Sequence, residues 1–303
     1  MHKITVEKQH TLLGHKDCVY TLAPGGQPHT FFSAGGDGMV VQWNLSEGET
    51  GKMMAQVPAS VYALHYQPDR QHLLIGQNYD GIHVIDLATR AALGSLSMTK
   101  VPIFDLQVVQ DKIWIATGDG LITVLNYQNL TVVHRLFASQ KSARCMAAHP
   151  HRPEIAVGYS DHCVRIFDTQ TYQTKQVIPA HNNSVFTVQY TPDGRHLVTG
   201  SRDAHLKIWD VEKNYELTES IVAHMYALNH VAFRRDGRYF ATASMDKSVK
   251  VWEAAPFRLL KVIDRARHAG HGTSVNRLLW LDDTTVVSAS DDRSVSVWNL
   301  TLD

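Results

Sequence analysis

The sequence predicts an all-β fold, a seven-bladed β-propeller of four-stranded antiparallel blades. Three observations carry the prediction. Four segments, SAGGDGMVVQWN, TGSRDAHLKIWD, TASMDKSVKVWE and SASDDRSVSVWN, repeat one pattern. In each, an aspartate stands six residues before a tryptophan: Asp37 and Trp43, Asp203 and Trp209, Asp246 and Trp252, Asp292 and Trp298. The pattern recurs at a period near that of four-stranded propeller blades, which is about 40 to 45 residues.

Each element follows from that register. A histidine precedes the tryptophan by 28 residues in three copies (His15, His181, His224) and by 27 in the fourth (His271). Four residues after each histidine begins an apolar run, VYTLA, VFTVQY, LNHVAF or VNRLLW, with the alternation or continuity of a β-strand. Turn signals such as TPDG and RRDG often follow. Three weaker copies then appear, with Ile85, Leu125 and Phe167 in the tryptophan position. Asp119 and Asp161 keep the six-residue spacing, Asp80 sits one residue closer, and Val57, Thr99 and Ser139 stand where the histidine belongs. The landmarks 43, 85, 125, 167, 209, 252 and 298 thus number seven, and a single propeller domain is expected over residues 1–303. The chain ends at WNLTLD, three strands into its last blade, so the N-terminal segment KITVEKQHTLL is expected to supply the missing outer strand. An open ring would leave two sheet edges exposed to aggregation.

With its register, its Gly14-His15 and Gly270-His271 dipeptides and its Trp209-Asp210, the chain resembles the WD-repeat (tryptophan-aspartate repeat) propeller family. The resemblance spans essentially all 303 residues. It implies that four sets of residues form buried hydrogen-bonded relays: His15, Ser33, Asp37 and Trp43; His181, Thr199, Asp203 and Trp209; His224, Thr242, Asp246 and Trp252; His271, Ser288, Asp292 and Trp298. A catalytic triad is the competing reading of Ser, His and Asp. Four copies on four separate blades cannot converge on one substrate, and bonding to an indole satisfies the groups instead of activating them. Blades 2 to 4 lack the full relay and are expected to have the lowest local stability.

Composition excludes several classes. Hydrophobic residues at 44% and only 10 prolines describe a folded chain with an ample core. Lys plus Arg and Asp plus Glu each number 29, which removes the long-range attraction of a nonspecific nucleic-acid or anionic-membrane binder. Cys18, Cys145 and Cys163 form no CxxC pair, no apolar run is long enough to span a membrane, and the N-terminus lacks a signal-peptide core. A cytoplasmic protein is expected. His149-Pro-His151 and His268-x-x-His271 approach metal spacing without an evident third ligand, so no metal is expected. Phosphate, dinucleotide and hydrolase motifs are missing, so neither a cofactor nor a catalytic residue is assigned.

Function is therefore expected on the propeller faces. In the family, partner-binding positions follow the first aliphatic of the inner strand, here Tyr20, Tyr62, Phe104, Arg144, Phe186, Asn229 and Asn276. The residues before the turn aspartates, among them Tyr79, Arg202 and Met245, are expected on the same face. Aromatic residues and arginine dominate interface hot spots, although aromatics also pack between blades. The expected function is a non-enzymatic scaffold for protein or peptide partners, a monomer by itself and open to use as a subunit of a complex. A propeller enzyme or small-ligand binder with its site in the central channel is the alternative.

Overall fold

The computed structural model describes residues 4–302, which form seven four-stranded antiparallel sheets. In blade 1 the strands Val19–Pro24, Thr30–Gly35, Met39–Asn44 and Lys52–Gln56 pair in chain order from the channel outwards. The inner strands of blades 2 to 7 are Val61–Gln67, Ile103–Val109, Ala143–Ala148, Val185–Tyr190, Leu228–Phe233 and Val275–Trp280. Each touches the next around the ring, and Val275–Trp280 returns to Val19–Pro24.

The last blade joins both ends of the chain. Ile4–Leu12 pairs antiparallel with Val295–Leu302, setting Ile4 opposite Leu302 and Leu12 opposite Val295. Ile4 and Leu12 are buried, so the closing strand contributes core as well as hydrogen bonds. Lys3, which the sequence places at the head of this strand, lies outside the described residues.

The core is divided among the seven blade interfaces. Each apolar cluster draws on two adjacent blades, and each landmark residue packs against the preceding blade: Trp43 against blade 7, Phe167 against blade 3, Trp252 against blade 5. A ring built this way buries apolar area on both faces of every sheet, which explains the near-continuous apolar runs of the inner strands. One helical turn, Arg265–His268, interrupts the all-β pattern between blades 6 and 7. Asp264 caps it by accepting from the Arg267 amide, and the turn accommodates the longer step before Trp298.

Every inner strand carries the same irregularity. The pairing register slips between Val19 and Thr21, Val61 and Ala63, Ile103 and Asp105, Ala143 and Cys145, Val185 and Thr187, Leu228 and His230, and Val275 and Arg277. The residue left over is Tyr20, Tyr62, Phe104, Arg144, Phe186, Asn229 or Asn276. A bulge bends its strand and re-aims the unpaired residue's side chain. Seven bulges at one height around a ring therefore aim seven side chains at one place.

Candidate functional site

Those seven side chains, with Arg277, line a single open cavity of ≈ 290 Å³ at one mouth of the channel. Half of its wall is a continuous row of stacked planes. The rings of Tyr20 and Tyr62 meet edge to face with centroids 4.7 Å apart, and Tyr62 stacks on Phe104 at 5.7 Å and 3°. The Arg144 guanidinium lies 4.2 Å from the Phe104 centroid and 5.6 Å from that of Phe186, while its Nε donates to Ser160 Oγ at 2.9 Å. Burial pulls Arg144 below the usual arginine range, yet the group keeps its charge because that range starts so high. The other half of the wall is polar. Asn229 Nδ2 donates to Ser274 Oγ and the Val275 carbonyl, and Asn276 Nδ2 donates to the Val19 carbonyl and Asp291 Oδ1.

The residues expected beside the turn aspartates do not share this lining. Strand register sets Phe31 opposite Trp43 and Leu73 opposite Ile85, so Tyr79 occupies the place of Asp37 itself and not the place before it. Asp80, one residue out of step in the sequence, corresponds to Gly38. Tyr79 has a left-handed backbone, φ 64°, and a ring 55% exposed outside the cavity. Arg202 is exposed and Met245 is 57% exposed, likewise outside the lining. An exposed apolar rim on blade 6, Met225, Tyr226 and Met245, joins Met245 to the preceding loop through the bond from its amide to the Ala227 carbonyl.

The four relays have a direction that donor chemistry dictates. Trp43, Trp209, Trp252 and Trp298 can only donate, and their indole N–H groups reach Ser33, Thr199, Thr242 and Ser288 at 2.8–2.9 Å. Those hydroxyls pass their hydrogens to the Nε2 atoms of His15, His181, His224 and His271 at 2.7–2.9 Å. The Nδ1–H of each ring then donates to Asp37, Asp203, Asp246 or Asp292 at 2.8–3.1 Å. Burial opposes ionisation of Asp203, Asp246 and Asp292, but the bonds from the histidines hold these carboxyls well below the usual range. Burial also depresses His181 and His224, more than the aspartates restore. Each hydroxyl is fully buried and already accepts an indole N–H, so these sets tie loops together inside the blades.

Of the metal candidates, His271 belongs to a relay and His149 is used otherwise. His149 binds the Gly194 carbonyl through Nε2 and accepts the amides of His151 and Arg152 at Nδ1. Among the described residues no group of three His, Cys, Asp or Glu side chains is placed to hold a metal ion.

Sequence reasoning missed the ring of residues one step beyond the bulges. Asp105 Oδ2 accepts the Met146 amide at 2.7 Å, Thr187 Oγ1 accepts the Val231 amide at 3.2 Å, and His230 Nδ1 accepts the Leu278 amide at 3.2 Å. Each bond staples one blade's inner strand to the next. Arg277 holds the same place in blade 7, where a guanidinium cannot accept. The available signal was this one-residue offset from the aromatic positions, legible only once the bulges are known.

A closed ring of seven four-stranded blades, four with a His, Ser or Thr, Asp and Trp relay, defines a repeat propeller. The chain belongs to the WD-repeat family: the profile described as "WD domain, G-beta repeat" matches residues 6–44, 130–168, 172–210, 215–253 and 264–299. It is similar to the target of rapamycin complex subunit LST8 of Mus musculus, 24% identical over 62% of this chain and 59% of that one. Striatin-3 of Homo sapiens is 25% identical over 67% of this chain and 22% of that protein. The chain thus spans less than two thirds of the length of these two relatives. THO complex subunit 3 of Arabidopsis thaliana is 25% identical over 70% of this chain and 67% of its own. The WD40 propeller domain of Doa1 superposes with a TM-score of 0.86 at 16% identity, covering 98% of this chain and 97% of that one, a likeness of fold alone. No helix among the described residues is long and apolar enough to cross a membrane.

Proposed function

We propose that the protein is a non-enzymatic platform that binds a protein or peptide segment at the bulge-lined mouth of its channel. The observation that carries this reading is the convergence of all seven bulged side chains on one cavity, with Tyr20, Tyr62, Phe104 and Arg144 in a contiguous row. Such a surface offers large, rigid contact area at little entropic cost, the composition of an interface hot spot. Two of the similar proteins bear names that make them subunits of complexes, which supports the same use here. The three cysteines are free thiols, in keeping with a reducing compartment such as the cytoplasm.

Affinity capture followed by mass spectrometry, run with the wild type and with a Tyr62→Ala, Phe104→Ala double variant of matched melting temperature, tests the proposal. The wild type is expected to retain a set of proteins that the variant loses. An unchanged set would overturn the assignment of this face.

A further inference from the structure

We infer that the throat of the channel is a recognition site for a carboxylate carried by the bound peptide, with Arg277 as its principal ligand. The inference rests on the proposed peptide-binding function of the mouth above it.

Arg277 is placed for this by the blade architecture. It is the residue next to the bulge in the last blade, and it alone lines both the mouth cavity and a second cavity of ≈ 280 Å³ on the other side. It therefore stands at the junction of the two. Among the described residues its guanidinium has neither a hydrogen-bond nor an ion-pair partner, and the residue lines both cavities, so its planar N–H fork is free for a guest in the channel. His230, on the neighbouring blade, lines the lower cavity and is fully buried. Its Nδ1 accepts from the Leu278 amide, which puts its proton on Nε2, and that N–H has no partner among the described residues. Burial, and then the charge of Arg277, holds His230 well below the ordinary histidine range, so it stays a neutral donor.

The carboxylates already present do not fill this role. Asp105 lies within electrostatic reach of Arg277, but its oxygens accept the Leu106 and Met146 amides, and it makes no ion pair with the guanidinium. Asp291, at the rim, is held by Asn276 Nδ2. Burial pushes the Asp105 carboxyl up against the pull of Arg277, and Asp105 lines neither cavity, so the guanidinium is left without a close counter-ion. A site with an unused fork, a buried unpartnered N–H and a second guanidinium along the wall is chemically complementary to a planar, bidentate anion. A cavity of ≈ 290 Å³ falls at the lower end of ligand pockets, which limits the guest to one or two side chains inserted from a longer segment.

The test is selection of displayed random dodecamer peptides on the whole protein and on Arg277→Gln, with one library fused through its C-terminus and a second presenting a free C-terminus. Wild-type selections are expected to be rich in Asp or Glu beside an aromatic residue, with the acidic preference lost on the variant. Enrichment in both libraries identifies a side-chain carboxylate, and enrichment in the second alone identifies the chain terminus. In a selected peptide, removing the carboxylate (Glu→Gln, or amidation) is expected to weaken binding to the wild type about tenfold or more, and to Arg277→Gln less than about twofold. Should Arg277→Gln fail to fold, Arg277→Lys keeps a charge beside Asp105 while removing the fork, and the same loss of preference is expected. Selected peptides without acidic preference would overturn the carboxylate site and leave the platform standing. Recovery of no peptide from either library would overturn both.

Discussion

Blades 1, 5, 6 and 7 and blades 2 to 4 close the same ring with different chemistry. In the first group a hydrogen-bonded chain runs from tryptophan to aspartate, and the aspartate also accepts the amide after the histidine: Lys16, Asn182, Met225 or Gly272. In the second group the hydroxyl position is filled by Ile75, Ile115 and Val157, all fully buried, with Ile85, Leu125 and Phe167 in place of the indole. Blade 4 retains a partial substitute, in which Asp161 pairs with Arg165 and accepts from Ser139 Oγ. Exchanging a whole polar network for apolar side chains of similar shape costs little, whereas breaking one member of a network leaves a buried group unpaired. Two arcs of the ring can therefore share a fold and differ in how they respond to a single change.

Three measurements would break or sharpen that comparison. The largest effect is expected where the arcs are joined. Removing residues 1–12 deletes the strand Ile4–Leu12, exposes an edge of the last blade and uncovers core at the interfaces of blade 7; aggregation or loss of the cooperative melting transition is expected. A soluble variant with unchanged melting would show that the ring does not depend on this closure.

The next effect separates equivalent aspartates. Asp246→Ala strands the buried His224 Nδ1–H and the Met225 amide, at a cost of about 1–3 kcal/mol. Asp119 serves Thr117 Oγ1 and the Leu121 amide at a half-exposed turn, so Asp119→Ala is expected to cost about 0.5 kcal/mol or less. Denaturant unfolding compares them, and captured partners should be unchanged in the folded fraction of both. Equal costs would remove the distinction between the arcs.

The smallest effect concerns local opening. In hydrogen exchange read by segment, the loops entering blades 2 to 4 are expected to exchange faster than those entering blades 1, 5, 6 and 7, where an aspartate holds the loop amide. Uniform protection of these loops would show that the apolar substitutes restrain them as well as the relay does.

The closing strand was legible in the sequence from the repeat itself, and the relays from the resemblance to the WD-repeat family that the repeated residues carry. A tryptophan ten residues beyond a serine or threonine meets it across one hairpin, and a seven-copy period leaves an outer strand to be supplied. Tyr79 was misplaced because blade 2 carries a tyrosine where the turn aspartate stands elsewhere, and alignment on Asp80 shifts its neighbours by one. Arg277 and His230 went unnoticed because what surrounds them comes from other blades: Asp105 acts on Arg277, Arg277 on His230, and no spacing in the chain marks either approach.

By itself, then, the sequence determined the number of blades, their strand order, the register of the repeated His, Ser or Thr, Asp and Trp residues and the aromatic character of Tyr20, Tyr62 and Phe104. These follow from periods of two and about forty-two residues, which any single chain displays. Only the tertiary structure decided that seven bulges lie at one height, that Phe104 stacks between Tyr62 and Arg144, and that an unpaired Arg277 stands between two cavities. Those facts depend on ring closure, which sets the distances between residues whose order in the chain says nothing of their approach.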